Sequence, residues 1–185
     1  MDIALRWSIA DLEVLPANGN RYELIDGELF VSKAPHWHHQ ATQNRISFEL
    51  TAWSLRAGGG IVLPTPGIVY AEDEAVIPDL VWISAARRQL VLGPDGKLLA
   101  SPELVVEVLS FGGTQEARDR EAKRRLYSRR GVLEYWIADW RTSQLEIYRR
   151  QAAELRHVQT LLPGETLTSP LLPDFAVMID RFFEI

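Results

Sequence analysis

The amino-acid sequence predicts an α/β protein in which helices flank a mixed β-sheet. Two observations carry this prediction. Residues 38–56 and 114–130 have the length and apolar spacing of helices. Residues 76–83 and 103–109 are apolar on both faces, which is typical of strands that are covered on two sides. Helices and strands that follow one another in this order indicate a mixed sheet in one α/β fold.

The first predicted elements are a short helix and a hairpin. Ser8 and Asp11 resemble a helix capping box, and Pro16 ends the helix that they begin. Residues 21–32 contain two apolar-rich arms around Asp26-Gly27, a dipeptide that supplies the positive φ angles of a type I′ turn. We therefore expect a tight hairpin after the first helix.

A long amphipathic helix is predicted next, from about residue 38 to residue 56. Ile46, Leu50 and Trp53 recur at helical spacing and therefore lie on one face. The run Gly58-Gly59-Gly60 is expected to end this helix.

The middle of the chain is predicted to be mainly β-structure. Strands are expected at residues 61–63, 68–71, 76–83 and 103–109. A turn is expected at Asp73-Glu74, and residues 90–101 are expected to form a turn-rich connection. Glu107 lies inside the last strand, where a carboxylate requires a partner.

A charged helix over residues 114–130 is expected to end at Gly131. Further strands are expected at residues 132–138, 144–149, 155–161 and 175–179. Residues 115–130 carry seven Lys or Arg and three acids, a local charge of +4 in a chain of net charge −5. The overall charge argues against electrostatic coating of nucleic acid, whereas this helix would still offer a basic flank to phosphates. A solvated helix face is the alternative interpretation.

Length and composition restrict the class of protein. With 185 residues, 46% of them hydrophobic, the chain is expected to form one domain over residues 1–185, in which residues 1–20 are an N-terminal helix and lead-in. Cysteine is absent, which excludes disulfides, thiolate metal sites and cysteine nucleophiles. No apolar run approaches the roughly 18 to 20 residues that span a bilayer. We expect a cytoplasmic protein with no membrane partner.

Two acidic residues accompany strongly apolar strands. Asp79 follows Pro78 at the head of one strand, and Glu107 lies within another. If these strands pair, the two carboxylates can meet and bind a divalent cation such as Mg²⁺, which accepts one or two carboxylates. The alternative is that each carboxylate forms a buried ion pair with a separate arginine.

Lys123 is one of only three lysines in the chain. Helical geometry places it between Leu126 and Tyr127 on the apolar side, so we expect its ammonium to face the sheet. Alternatively, its stem covers apolar surface while the ammonium reaches solvent. Two acids and an ammonium are the groups that metal-dependent hydrolysis of a phosphodiester needs.

Several short motifs occur together between Tyr22 and the C-terminus. They are Tyr22 to Leu29, Pro35 with His39, Pro78-Asp79, Val106 to Ser110, Lys123 to Tyr127, and Glu134-Tyr135-Trp136. This combination resembles the Uma family of putative restriction endonucleases, small bacterial proteins of the PD-(D/E)XK nuclease superfamily. The resemblance implies a restriction-endonuclease-like core, a mixed sheet flanked by helices with the acids on adjacent strands.

The resemblance also implies roles for individual residues. Asp79 and Glu107 match the two acids of the superfamily motif, and the backbone carbonyl of Val108 would be a third ligand to Mg²⁺ or Mn²⁺. Leu109 departs from the motif, which has lysine at that position. Some members of the superfamily carry this lysine on the following helix, and Lys123 fits that place.

Three further residues are accessory candidates. His39 would contact phosphate or orient water, unless the histidines at 36, 38 and 39 are a capping or surface feature of the helix start. Glu28 is either a further acid at the site or an exposed strand residue, and Tyr127 belongs either to the site or to the core. For a zinc site, the three histidines lack a fourth ligand at matching spacing.

The sequence therefore predicts a metal-dependent endonuclease that hydrolyses phosphodiester bonds of DNA, in which Asp79 and Glu107 hold the metal and Lys123 stabilises charge. The first alternative, favoured by Leu109, is an inactive nuclease-like module that binds nucleic acid or protein. The second is a hydrolase of another phosphate ester. Because one chain with one site cannot cut both strands at once, a homodimer is a further expectation.

Overall fold

The computed structural model of the protein describes residues 5–57, 59–110 and 112–184. Its helices are α1 (Ile9–Glu13), α2 (Trp37–Ala57), α3 (Ala85–Val91), α4 (Gly113–Ala117), α5 (Arg124–Arg130) and α6 (Asp180–Phe183). A π-helical segment, Arg118–Lys123, joins α4 to α5. Within the described ranges, no helix has both the length and the hydropathy needed to cross a membrane.

In the part of the chain that the structure describes, the strands form three sheets. They are β1 (Arg21–Ile25), β2 (Glu28–Ser32), β3 (Ile61–Pro64), β4 (Ile68–Ala71), β5 (Glu74–Val76), β6 (Leu80–Ile83), β7 (Leu104–Val108), β8 (Glu134–Asp139), β9 (Gln144–Gln151), β10 (Glu154–Leu161), β11 (Thr166–Ser169) and β12 (Leu172–Met178). The central sheet has the order β10-β9-β8-β7-β6-β3, and a second sheet has the order β2-β1-β5-β4. In the central sheet β7 and β8 are parallel and the other pairs are antiparallel. The predicted mixed sheet with flanking helices is confirmed.

Side chains of β7 alternate between two cores on opposite faces of the central sheet. Val106 and Val108 lie in the core that contains Leu50 of α2, whereas Val105 lies in the core that contains Leu126 of α5. Because successive residues of a strand point to opposite faces, Glu107 shares the face of Val105. The sheet therefore directs Glu107 towards the π-helical segment and α5.

Two of the local turn signals in the sequence are confirmed, whereas the turn expected at Asp73-Glu74 lies one residue earlier, because Glu74 begins β5. Asp26 and Gly27 have φ angles of 54° and 75°, as a type I′ hairpin requires, and β1 pairs with β2 around them. Gly131 ends α5 with a φ of 87°, a left-handed conformation that glycine adopts without a Cβ clash.

The single strand predicted over residues 76–83 is wrong. Proline has no backbone N–H and restricts the residue before it, so Pro78 interrupts the ladder and the chain passes from β5 in one sheet to β6 in another. The antiparallel register pairs Leu80 with Val106. As a result Asp79, one residue before β6, lies beside Glu107.

Several elements were not predicted. The helix α3 lies partly in the segment expected to be turn-rich, and its start is fixed by Ser84, whose side chain accepts a hydrogen bond from the backbone of Arg87 at 3.2 Å. The short elements β11 and α6 also lacked a clear sequence signal. The helical segment after β7 was predicted, but its π-helical turn was not.

Candidate active site

Asp79, Glu107 and Lys123 converge at the edge where β6 begins and β7 ends. Lys123 Nζ lies 2.9 Å from Oε1 of Glu107, and the backbone nitrogen of Asp79 lies 3.4 Å from Oε2 of the same residue. All three residues are at most 3% exposed. The structure therefore brings together the three residues that the sequence singled out.

Asp79 is held by three hydrogen-bond donors. Its Oδ1 accepts from the guanidinium of Arg21 at 2.9 Å, and its Oδ2 lies 2.9 Å from the backbone nitrogen of Val108 and 3.0 Å from Nε2 of His39. Burial raises the pKa of Asp79, but the hydrogen bond and charge of His39, with the charges of Lys123 and Arg21, outweigh it and hold the pKa well below its usual range. Asp79 is therefore a carboxylate at neutral pH.

Lys123 is the cation around which the other carboxylates gather. Besides Glu107, it lies 3.0 Å from Oε1 of Glu23 and 3.7 Å from Oδ1 of Asp119. Burial lowers the pKa of Lys123, but the surrounding carboxylates outweigh burial and raise it above its ordinary value. Lys123 therefore keeps its proton and acts as a fixed positive charge.

Arg118 completes this buried charge cluster, which consists of Glu23, Glu107, Asp119, Arg118 and Lys123. The guanidinium of Arg118 lies 3.1 Å from Asp119 and 3.4 Å from Glu23. Three carboxylates thus face two cations, which leaves one excess negative charge. Burial, together with the neighbouring carboxylates, raises the pKa of Glu107 to about 8 against the opposing effect of Lys123.

The π-helical turn explains how Arg118 and Lys123 both reach the cluster. In a π-helix the hydrogen bonds join residues i and i+5, so residues five positions apart lie near one face. Arg118, Asp119 and Lys123 are the buried residues of this segment. Regular α-helical spacing would direct the first and last of them to different sides of the helix.

Residues that the sequence analysis missed surround the predicted trio: Arg21, Glu23 and Arg118. For Glu23 a signal existed, because it stands beside the apolar pair Leu24-Ile25 in a predicted strand, as Glu107 does in its own strand. Asp119 shows a weaker signal, its position four residues before Lys123. For the two arginines no sequence pattern distinguishes them from the many others.

The accessory candidates have different outcomes. His39 contacts Asp79, and Tyr127 is both a core residue and a donor, its hydroxyl lying 3.1 Å from Oε1 of Glu107. Glu28 lies outside the cluster: it is exposed at the start of β2 and borders a separate depression with Phe30 and Arg125. Its place directly after the hairpin turn leaves its side chain in solvent.

The expected basic flank is largely neutralised within the protein. Arg120 pairs with Glu146 at 2.7 Å, and Arg129 lies 2.9 Å from Glu74, which also pairs with Arg130. The local charge of +4 in the sequence therefore does not appear as a uniformly basic surface. Arg125 is exposed beside an open depression, and a phosphate-facing flank along this helix stays a prediction.

A cavity of about 20 Å³ lies among Asp79, Glu107, Val108 and Lys123. A space of this size accommodates one water molecule or one small cation. Within residues 5–57, 59–110 and 112–184, the hydrogen-bond contact of Glu107 Oε2 is a long one of 3.4 Å, which leaves this oxygen available to a further partner. Among the described residues, no group of three or more His, Asp or Glu side chains is arranged to hold a metal ion. The donor set fits a hard cation that is bound by two carboxylates and otherwise by backbone oxygen and water.

Comparisons with known proteins show the family and the fold of this chain. Residues 9–180 match the family model Uma2, described as "Putative restriction endonuclease". A solved structure from Anabaena variabilis ATCC 29413, described as a putative nuclease belonging to DUF820, is similar over 95% of this chain and 97% of its own, with 17% identity and a TM-score of 0.74. The type IIG restriction endonuclease BpuSI is similar over 82% of this chain and 17% of its own, with 12% identity and a TM-score of 0.44. No curated protein matches the chain. The similarity to the Anabaena protein shows a shared fold.

Proposed function

The chain belongs to the Uma2 family of putative restriction endonucleases, and from this premise we propose that it hydrolyses phosphodiester bonds of DNA with a divalent cation, Mg²⁺ or Mn²⁺. Asp79 and Glu107 would hold the cation together with the backbone carbonyl of Val108. Lys123 would stabilise negative charge at the reacting phosphate. The observation that carries the proposal is the small polar cavity between the two carboxylates and the buried ammonium.

The excess negative charge of the buried cluster supports a cation at this place. Burial is the main cause of the raised pKa of Glu107, and the neighbouring carboxylates, three of which share two cations in the cluster, raise it further. The excess negative charge of the cluster, together with the carboxylate of Asp79, would attract a divalent cation to the cavity in place of the proton on Glu107. When bound, such a cation neutralises phosphate charge and lowers the pKa of a bound water.

The residues around the cation site have separate tasks. Arg21 and His39 fix the orientation of Asp79, since each contacts one of its oxygens. Glu23 and Asp119 position Lys123 and keep it protonated, so that it supplies charge rather than acting as a base. A buried, fixed charge is more effective than one in water because no solvent has to reorganise during the reaction.

A binding module without cleavage is the competing proposal, and two observations favour it. Asp79 already accepts hydrogen bonds from three donors, and Leu109 occupies the place of the motif lysine. Such a module would bind nucleic acid but would show no Mg²⁺ or Mn²⁺ binding that depends on Glu107.

Isosteric variants test the proposal. We expect Asp79→Asn and Glu107→Gln to lose Mn²⁺ binding in a calorimetric titration and to lower the cleavage rate of plasmid DNA by at least about a hundredfold. Glu134→Gln is the matched control, because Glu134 is an equally buried glutamate of the central sheet that pairs with Arg149 outside the cavity. Equal metal binding by Glu107→Gln and the unchanged protein would refute the proposed ligand set.

The substrate and the assembly follow from the same proposal. A supercoiled DNA plasmid and an RNA of similar length, offered together, distinguish DNA from RNA as the preferred substrate. Small phosphate esters added as competitors test the alternative that the protein hydrolyses another phosphate ester.

Cleavage of both strands at one position would require a homodimer, and a sedimentation measurement on the active protein shows whether the dimer forms.

A further inference from the structure

Four aromatic rings form a stacked cluster at the start of α2. The rings of His36 and Trp140 are 5.2 Å apart with an angle of 4° between their planes, and those of His38 and Trp140 are 4.8 Å apart at 20°. Trp37 stacks on His38 at 3.5 Å and 27°. We call His36, Trp37, His38 and Trp140 the aromatic platform.

Part of the aromatic platform is open to solvent. His36 is exposed, and Trp37 is 55% exposed although it is the largest apolar side chain of its helix turn. Trp140 anchors the rings to the sheet, because its indole N–H donates to the carbonyl of Leu109 at 3.0 Å. Burial in the core does not account for the exposed face of Trp37, whereas a flat aromatic surface is suited to stacking with another ring.

The aromatic platform stands beside the cation site. His39, which contacts Asp79, directly follows the platform residue His38 in α2. The side chains of Trp37 and His39 lie about 200° apart around the helix axis, so the aromatic platform approaches the cavity through His36, whose ring stacks on that of Trp37 at 5.7 Å. An open depression of about 490 Å³ borders His36. It shares Lys33, Pro35 and Ser110 with the small cavity between Asp79 and Glu107. Lys33 is exposed and adds a positive charge to the shared rim.

We propose that the aromatic platform stacks on an unpaired nucleobase of DNA whose phosphodiester enters the neighbouring cavity. This inference rests on the proposed function and adds a substrate class to it: DNA with a single-stranded or extruded nucleotide next to the cleavage position. Bases within a duplex already stack on both neighbours, and so only an unpaired base can present a free face to the protein. Stacking on aromatic rings is sequence-tolerant because every base has such a face.

The test compares binding of Trp37 variants to single-stranded and duplex DNA. A fluorescein-labelled oligodeoxynucleotide of about 12 nucleotides is titrated by anisotropy in EDTA, so that no cleavage occurs. We expect Trp37→Ala to weaken single-strand binding about tenfold and Trp37→Phe to restore most of it, because phenylalanine keeps a stacking face. Duplex binding should be equal in all variants. Phe48→Ala is the matched control, since Phe48 is 61% exposed farther along the same helix.

The outcomes separate this inference from the proposed function. Equal single-strand binding by Trp37→Ala and the unchanged protein, or an equal loss in Phe48→Ala, would overturn the stacking role even if the protein cleaves plasmid DNA. Selective loss in Trp37→Ala supports the aromatic platform even if no cleavage is found. With cleavage present, a gapped duplex should show a raised KM and an almost unchanged kcat in Trp37→Ala, since the ring binds substrate and touches no reacting atom.

Discussion

Replacing Lys123 by methionine measures how strongly the buried carboxylates depend on its charge. Methionine keeps most of the apolar stem but removes the ammonium, which lies 2.9 Å from Glu107 and 3.0 Å from Glu23. Arg118 is then left to balance three carboxylates. These carboxylates do not reach solvent in the folded state, because each residue is about 2% exposed.

The size and the pH dependence of the effect follow from this geometry. Removing one partner of a buried ion pair costs about 3 to 5 kcal/mol of unfolding free energy. The carboxyl groups relieve part of this cost by taking up protons, so we expect a loss of about 3 kcal/mol at pH 7. Burial raises the pKa values of Glu107 and Asp119, and Lys123 opposes this rise, so removing its charge raises both pKa values further. Stability then falls as pH increases from the unfolded values of about 4 towards the raised folded values. The loss should therefore be smaller at pH 5 than at pH 8.

Urea unfolding at several pH values, followed by circular dichroism, measures this difference. Lys97→Met is the matched control: Lys97 is half exposed and lies 3.6 Å from Asp95, a surface pair worth less than about 1 kcal/mol. A loss in Lys123→Met that is no larger than in Lys97→Met, or one that does not change with pH, would contradict the view that Lys123 neutralises the cluster.

Two further predictions concern stability. Burial raises the pKa of Glu107 from 4.5 to about 8, so this group lowers the stability of the fold as pH rises between these two values. Urea unfolding of Glu107→Gln should lack this decrease, and parallel pH profiles would refute it. Gly60 has a φ of 96°, and a Cβ there would meet the ring of Trp82, so Gly60→Ala should lower the unfolding free energy by about 2 to 4 kcal/mol. Gly164→Ala is the control, because Gly164 has a φ of 88° but an added Cβ would meet open space. Thermal unfolding should show a smaller loss of stability in Gly164→Ala than in Gly60→Ala. Equal losses would show that the backbone conformation alone matters.

The sequence could predict the elements whose signals are local. The Asp26-Gly27 turn, the apolar repeat of α2 and the terminating Gly131 each depend on a few neighbouring residues, and all three are confirmed. The approach of Asp79 to Glu107 was predictable for a different reason. Strongly apolar strands tend to be central, central strands pair, and a carboxylate at such a place requires a partner.

The remainder of the site depends on long-range geometry that single residues do not encode. Arg118 reaches Glu23 only because the helix after β7 contains a π-helical turn, and nothing in the sequence of that segment announces the change of hydrogen-bonding pattern. Arg21 contacts Asp79 because β1 begins near the crossover at Pro78, which joins two sheets. A helix–strand pattern predicts neither the second sheet nor its position.

The requirement for a partner that singled out Glu107 applies equally to Glu23. Glu23 stands in an apolar strand like Glu107, and both carboxylates meet the same ammonium. Three acids and two cations in a water-excluded place are a costly arrangement for a protein that only needs to fold, since apolar residues of similar size usually serve stability as well or better. Several features that are unfavourable for folding, such as these buried charges, are expected to occur together at a cavity where function requires them. An imbalance of one negative charge is what the proposed cation-dependent site would have before the cation binds, and burial together with this imbalance raises the pKa of Glu107.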